Sequence, residues 1–202
     1  MSSKTYKWFI PVIVIVIIII AVYSSFKGSY NKMVSYNEGV KASWSQVENV
    51  YQRRFDLIPN LVETVKGYAA HESETFTAVT EARSKAGGVM NISDEVLQDP
   101  AAFKRFQQAQ GELSGALQRL MVISEQYPDL KANQNFLALQ DQLEGTENRI
   151  AVERKRFNDS VRVYNTYIKQ FPRIIIANMT GFDESPYFES SEGAEQAPEV
   201  TF

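Results

Sequence analysis

The sequence predicts an all-α protein, in which an N-terminal transmembrane helix leads into an antiparallel, up-down four-helix bundle with a disordered acidic C-terminal tail. Three observations predict this architecture. A run of nineteen uncharged, mostly apolar residues lies near the N-terminus, at 8–26. Beyond it, apolar residues recur at alternating steps of three and four, which is the spacing of one face of an α-helix. No segment alternates apolar and polar residues over the length that a half-buried strand requires.

The composition limits the classes of function. The 202 residues leave room for one ordinary domain with attachments. The absence of cysteine excludes disulfides, thiolate metal sites and a lipid-bearing cysteine. Lysine and arginine number 21 against 24 aspartates and glutamates, and four of the acids lie in the last fourteen residues, so the rest is nearly neutral. Because no basic stripe with interleaved aromatics occurs, we expect no nucleic-acid partner.

Residues 8–26 are interpreted as a retained membrane anchor that follows a short N-terminal tail, 1–7. As a helix the anchor reaches about 28 Å, close to a hydrocarbon thickness of about 30 Å, so a lipid bilayer is the expected partner. A cleaved signal peptide is the alternative, with its site at Val22–Ser24, but the apolar run is long and lacks an A-x-A pattern. Two lysines precede the run and three follow it closely, so the positive-inside rule leaves the orientation open.

Apolar seams and helix-ending residues divide residues 28–182 into four predicted helices. Gly87–Gly88 is expected to end the second helix, since glycine is favoured just past a helix C-terminus. Asp99, followed by Pro100, is expected to cap the third helix, and Pro128 to separate it from the fourth. The four helices are predicted at 28–57, 60–86, 100–126 and 129–171.

The end of the chain divides into an apolar and an acidic part. The segment FPRIIIANMTGF, Phe171–Phe182, is apolar and is expected to fold back over the end of the long fourth helix. Residues 183–202 are small and acidic, and we predict that they are mostly disordered. Their last residues include Val200 and Phe202, which are either a frayed end or the tip of a short docking peptide.

A polar stretch, QRRFDLIPNLVETVKGY, interrupts the seam where the first two predicted helices meet. Pro59 has no N–H and disfavours helical geometry in the residue before it, so the helix is predicted to break here, as a kink or as a full turn. Asp56 and Asn60 have short polar side chains that suit backbone groups left without partners by such a break.

Polar residues also fall on the seam itself. Arg54 lies on the apolar seam and Arg53 beside it, and an arginine in that position needs a partner. The fourth predicted helix offers carboxylate and amide side chains. We interpret these residues as a polar layer that crosses the bundle and sets its register, with an active site as the alternative. The candidate residues are Arg53, Arg54, Asp56, Asn60, Glu147, Asn148, Glu153 and Asn158.

Several long segments resemble the LemA family of bacterial membrane proteins. The resemblance rests on ASWSQVENVYQRRFDLIPNLVETVKGYAAHE at 42–72, VTEARSKA at 79–86, ENRIAVERKRFNDSVRVYNTYIKQFP at 147–172 and a GF…YF pattern in the tail. It implies one transmembrane helix in the bacterial plasma membrane, a short tail outside with the bundle in the cytoplasm, an antiparallel four-helix bundle and a full turn at Pro59. The family has no established enzymatic activity, so the resemblance does not assign a molecular function.

The sequence carries no recognisable catalytic, cofactor or metal motif. His71 is the only histidine, so neither an H-E-x-x-H zinc site nor a ferritin-like di-iron centre can form around it. No Walker or dinucleotide glycine loop occurs. We therefore expect no cofactor, no metal site and no catalytic residue.

Three functions fit these features. We expect a non-enzymatic scaffold or adaptor of the bacterial envelope, which contacts unidentified membrane or envelope proteins or forms a homo-oligomer. A hydrolase that uses carboxylates in the bundle core near Arg54 is the alternative, and it requires a pocket that reaches solvent. A protein that remodels membranes by lying on lipid is the third, although the near-neutral domain lacks the basic face that anionic lipid attracts.

Overall fold

The structure is a computed structural model that describes residues 3–90, 96–97 and 99–189. In these ranges every element of regular secondary structure is a helix and no strand occurs, so the all-α prediction is confirmed. The predicted count of four helices is not confirmed, because the same ranges contain six helices of four residues or more. They are α1 Ser3–Lys66, α2 Ser73–Met90, α3 Pro100–Ser124, α4 Pro128–Lys131, α5 Gln134–Lys169 and α6 Arg173–Thr180.

The N-terminal helix α1 is much longer than predicted. Its 64 residues join the anchor, the first predicted helix and the start of the second into one rod of about 96 Å. The apolar side chains from Phe9 to Tyr23 are exposed, each by about half or more. Within the described part of the chain, α1 alone is long and apolar enough to cross a membrane.

Of the two forms predicted for the break at Pro59, the full turn is wrong, because α1 continues through this residue to Lys66, whereas a kink stays a prediction. Pro59 has no N–H to give the carbonyl of Phe55, four residues earlier. The side chain of Arg83, on α2, supplies that donor: its Nε lies 3.4 Å from the Phe55 oxygen, and its guanidinium carbon lies 3.9 Å from the centre of the Phe55 ring. A contact with a distant helix therefore replaces the hydrogen bond that proline removes.

The turn between the first two helices lies at residues 67–72 instead, so α2 begins at Ser73 and not at residue 60. The predicted stop at Gly87–Gly88 is also wrong, since α2 continues to Met90. A Cβ atom at Gly87 would lie 3.1 Å from the Phe55 ring. This glycine therefore permits close packing of α2 against α1 within a helix, rather than ending the helix.

Two pairs of antiparallel helices build the bundle. Helix α1 packs along α5: the rings of Tyr36 and Tyr167 lie 5.1 Å apart, and Arg54 meets Glu147 at 2.8 Å, so residue numbers rise along one helix as they fall along the other. Helix α2 packs along α3, and Lys85 on α2 meets Glu112 on α3 while Glu72, before α2, meets Tyr127, after α3, so this pair is antiparallel as well. Side chains of α3 reach α1 and α5, which closes the core between the two pairs.

The core consists of two apolar clusters, which meet near the middle of α3 and α5 and towards the C-terminal end of α1. The cluster nearer the anchor is aromatic and contains Trp44, Tyr51, Phe103, Phe106, Phe157 and Phe188. The other is mainly aliphatic and contains Ile58, Leu61, Leu113, Leu117, Leu120 and Leu143. On α1, α3 and α5 alike, the first cluster ends and the second begins within one to two helical turns.

The remaining boundaries follow local signals. Asp99 caps α3 by accepting a hydrogen bond from the Ala101 N–H at 2.8 Å, as predicted. The predicted fourth helix begins later than residue 129, because α4 is a separate turn and Asn133 caps α5. Beyond α5 the apolar segment folds back as α6 against α1 and α5, as expected, and Gly181 ends it with a φ of 76°.

Residues 183–189, at the start of the tail that is predicted to be mostly disordered, form a non-helical segment packed on α5, and the rest of that tail lies outside the described residues. Phe188 in this segment is only 5% exposed. Amide side chains of α5 hold its backbone, and an acidic composition does not reveal such contacts. Val200 and Phe202, the predicted docking tip, lie outside the described residues.

Candidate functional site

A buried arginine lies where the two core clusters meet. Arg54 is 1% exposed, and its guanidinium contacts α3 and α5. Its Nη1 donates to Glu147 Oε1 and to Ser114 Oγ, both at 2.8 Å. Its Nη2 donates to the side-chain oxygen of Gln110 and, at 3.4 Å, to the Gln110 carbonyl. We call Arg54, Gln110, Ser114 and Glu147 the central polar layer.

The charges in the central polar layer are unequally buried. The Arg54 side chain is 1% exposed, whereas that of Glu147 is 38% exposed, so water reaches the carboxylate but not the guanidinium. The Arg54 guanidinium carbon also lies 5.0 Å from the centre of the Tyr51 ring. Burial raises the pKa of Tyr51 above its ordinary value, although the positive charges of Arg154 and Arg54 oppose the shift.

Two buried donors of this layer have no hydrogen-bond partner among the described residues: Arg54 Nε and Gln110 Nε2. Beside them is a groove of about 660 Å³ between α1, α3 and α5. Three cationic side chains line it, those of Arg54, Arg154 and Lys104, together with the carboxylate-bearing Glu147 and Glu189. The cationic side chains and the two unpartnered donors suit a ligand that accepts hydrogen bonds, and water is one such ligand.

The structure brings together only part of the predicted polar layer. Arg54 and Glu147 meet, whereas four of the candidates lie on exposed faces: Arg53, Asp56, Asn60 and Asn148. Glu153 pairs with Arg156 on its own helix at 2.7 Å. Asn158 lies elsewhere and contacts the C-terminal segment. That the layer sets the register of the bundle stays a prediction.

Sequence reasoning missed Gln110 and Ser114. A signal for Gln110 was present, because it lies four residues after Phe106 and three before Leu113, which places it on the apolar seam of α3. Its burial, with 4% exposed, follows from that position. Ser114 has no such signal, since it lies beside the seam and is identified only by its contact with Arg54.

A second arrangement of polar side chains holds the segment 183–189. Asn165 donates to the Ser185 carbonyl at 2.8 Å and accepts from the Ser185 N–H at 3.0 Å. Asn158 makes the same pair of bonds with Phe188, both at 2.9 Å. We call these two asparagines the tail clamp. They contact only backbone atoms, so the bonds themselves do not depend on the sequence of the bound segment.

The spacing of the tail clamp matches an extended chain that runs antiparallel to α5. Asn158 and Asn165 are seven residues apart, which is about 10.5 Å along a helix. Their partners Ser185 and Phe188 are three residues apart, which is about 10 Å in an extended chain. The two spacings therefore match, and both asparagines bind the segment at once over two helical turns.

Side chains add specificity to the clamp. The ring of Phe188 lies 4.8 Å from that of Phe103 and 5.4 Å from that of Phe157, and the Arg154 guanidinium carbon lies 4.6 Å from its centre. Further along, the Tyr164 hydroxyl donates to the Asp183 carbonyl at 2.9 Å. Burial, aided by the Asp183 charge, raises the pKa of Tyr164 to about 12.

The lone histidine is not part of either arrangement, since His71 is exposed in the turn between α1 and α2. Across the described ranges, no three His, Cys, Asp or Glu side chains lie close enough together to hold a metal ion.

Comparison with known proteins places these features in a family context. The model of the LemA family matches residues 43–202. The magnetosome protein MamQ of Magnetospirillum gryphiswaldense is 31% identical over 188 residues, which cover 86% of this chain and 69% of that protein. A magnetosome protein MamQ of Paramagnetospirillum magneticum is 28% identical over 192 residues, 88% of this chain and 71% of that protein. The protein LemA of Metamycoplasma hominis is 23% identical over 170 residues, 84% of this chain and 73% of that protein.

Proposed function

The chain belongs to the LemA family, as the resemblance of its helical segments indicates, and on this premise we propose that it is a single-pass, membrane-anchored scaffold or adaptor of the bacterial envelope. It acts through contacts with other membrane or envelope proteins or with further copies of itself, and it has no enzymatic activity. It resides in the bacterial plasma membrane, with a short N-terminal tail outside and the bundle in the cytoplasm.

One observation carries this proposal: the apolar span and the core of the bundle share a single continuous helix. The exposed apolar stretch of α1 begins at Phe9, and the same helix contributes Trp44 and Val65 to the core. A helix without an interruption couples the position of the bundle to the membrane more firmly than a flexible linker does. Such rigid display suits a protein that presents surfaces at a fixed distance from a bilayer.

The central polar layer supports a structural role. The Arg54 guanidinium is engaged by Glu147, Ser114 and Gln110 on two other helices. These contacts commit both terminal nitrogens of the guanidinium to the fold, and of its three nitrogens Nε alone has no partner among the described residues. This arrangement fits residues that join three helices in one register.

The scaffold proposal is tested by photocrosslinking in intact cells. A photoreactive amino acid is placed singly at Val122, Val152 and Val163, which are exposed on α3 and α5, and at further exposed positions of the bundle. We expect discrete crosslinked species at positions of one face and none at the others. Ile17 in the anchor is the control, since it should crosslink to lipid. A bundle that forms no protein crosslink at any exposed position, and stays monomeric in lipid nanodiscs, would contradict the proposal.

A hydrolase is the second candidate, and the groove beside the central polar layer favours it. The groove reaches solvent and contains the partly exposed carboxylate of Glu147. The test is a screen of the full chain with ester, phosphate and peptide substrates, with Glu147→Gln as the matched variant. Turnover that this variant abolishes would establish the hydrolase and refute the non-enzymatic proposal.

A further inference from the structure

Helix α6 has an outer face that is apolar, although it faces solvent. Phe171, just before the helix, is 82% exposed, Ile175 is 51% exposed and Met179 is 74% exposed. Ile175 and Met179 are four apart within the helix, so they lie on one face of it as an apolar stripe, and Phe171 adds a third exposed apolar side chain just before its start. The opposite face packs on the bundle through Ala177, which is 2% exposed. A surface helix ordinarily presents polar residues to water, so this stripe marks a contact surface.

The position of α6 indicates what it contacts. The ring of Phe182, just past the helix, lies 5.6 Å from that of Tyr30 on α1. Tyr30 is only four residues beyond Phe26, the last residue of the apolar span, which is about 6 Å along the helix axis. Each polar interface of a bilayer is about 5–8 Å deep outside the hydrocarbon. Helix α6 therefore lies at the level where α1 leaves the hydrocarbon.

Cationic side chains surround this end of the bundle. Lys27 and Lys32 are exposed on α1, and Lys169 is exposed at the end of α5, where it pairs with Glu184. The guanidinium carbon of Arg173, in the first turn of α6, lies 4.2 Å from the centre of the Tyr167 ring, and the Lys32 Nζ lies 5.8 Å from the same ring. Positive charges beside an apolar stripe complement anionic headgroups above an acyl layer. The contact is confined to one end of the bundle, so it does not require a basic face over the whole domain.

We propose that α6 lies in the interface of the same bilayer that α1 crosses, with Phe171, Ile175 and Met179 inserted at the boundary between headgroups and acyl chains. The lipid surface is its partner. The bundle then meets the membrane at two places, the anchor and α6, and the second contact fixes the tilt and rotation of the bundle about the anchor. This inference rests on the proposed membrane anchor.

Single-cysteine fluorescence tests the inference in the full chain. The protein contains no cysteine, so each introduced thiol is labelled uniquely. The variants Ile175→Cys and Met179→Cys carry an environment-sensitive nitrobenzoxadiazole probe and are reconstituted in vesicles of phosphatidylethanolamine and phosphatidylglycerol, with and without a spin label on the acyl chains. Ile17→Cys in the anchor is the positive control. Val122→Cys is the matched negative control, because Val122 is also apolar and 65% exposed but lies at the opposite end of the bundle.

We expect lipid spin label to quench the probes at Ile17, Ile175 and Met179, and to leave the probe at Val122 unquenched. Quenching at Ile17 with none at Ile175 and Met179 would overturn the inference and leave the anchor intact. A blue-shifted but unquenched probe at Ile175 would overturn it in favour of a second protein copy on α6. Absence of quenching at Ile17 as well would refute the anchor and the inference with it, and equal quenching at Val122 would refute a contact specific to α6.

Discussion

Removing Glu147 should destabilise the protein more than removing its partner Arg54. The variant Glu147→Leu leaves the guanidinium of Arg54 buried, with 1% of the side chain exposed, and without a counter-charge. Breaking a buried pair in this way costs about 3–5 kcal/mol. Ser114 and Gln110 still accept hydrogen bonds from the guanidinium, so we expect the lower end of that range, about 3 kcal/mol.

The reverse substitution, Arg54→Met, should cost less, about 1–2 kcal/mol, because only the buried side-chain oxygen of Gln110 loses a donor that water does not replace. The Glu147 side chain is 38% exposed, so water replaces its lost partner, and methionine fills the apolar space between the two core clusters. Because the buried charge is then absent, Arg54→Met should rescue Glu147→Leu and bring the double variant within about 2 kcal/mol of the parent protein. The effect therefore depends on which charge remains, and not on the loss of the pair as such.

The assay is thermal unfolding of the full chain in mild detergent, followed by far-ultraviolet circular dichroism. For a domain of this size, 1 kcal/mol shifts Tm by about 2–4 °C, so Glu147→Leu should lower Tm by about 6–12 °C. Glu144→Leu, one turn earlier on the exposed face of α5, is the matched control and should change stability by less than about 0.5 kcal/mol. The reasoning is refuted if Arg54→Met destabilises as much as Glu147→Leu, or if the double variant shows no rescue.

Three further predictions concern the tail clamp, the proline and the tyrosine that contacts the tail. Asn165→Ala should expose the segment 183–189 to chymotrypsin and speed its cleavage severalfold, and Asn158→Ala should act in the same direction. Unchanged cleavage in both variants would contradict the role of the tail clamp in holding this segment. Arg83→Ala should cost about 1 kcal/mol of stability in the parent protein. The cost should be smaller in a Pro59→Ala background, where the backbone N–H of residue 59 again donates to the Phe55 carbonyl. Equal costs in both backgrounds, measured by urea unfolding, would disprove that Arg83 replaces the hydrogen bond removed by proline. The pKa of Tyr164 is raised from 10.0 to about 12 in the folded state, so between these pH values the unfolded state binds fewer protons and stability falls as pH rises. Tyr164→Phe should make the fall of stability with pH shallower. Identical dependence on pH in the variant and the parent protein would exclude Tyr164 as the cause.

Local signals were sufficient for several elements. The uncharged run at 8–26 identified the apolar part of α1, and the seams of three-and-four spacing identified the helical class of the chain. Asp99 was predicted as a cap because a short carboxylate before proline can act within two residues, with no need for the rest of the fold. Within the candidate site, the seam position of Arg54 predicts a buried cation that needs a partner, and the predicted polar layer includes that partner, Glu147.

Contacts between residues distant in the chain decided the rest. Pro59 indicates a break on local grounds, but Arg83, 24 residues later, supplies the missing donor and the helix continues. Gly87 predicts the end of a helix on local grounds, but it lies within α2 and the Phe55 ring packs against it. The acidic composition of 183–189 predicts disorder, whereas Asn165 and Asn158 hold this segment through its backbone.

The class of each segment therefore follows from the amino-acid order alone: an apolar span, amphipathic helices and a cation on an apolar seam. Those properties depend on the period of the α-helix and on the cost of exposing apolar surface or burying a charge, both of which act over a few residues. Folding sets where each helix ends, which carboxylate pairs with Arg54 and where the C-terminal segment lies. These outcomes depend on donors, acceptors and rings brought together by folding, and no local pattern encodes their distances.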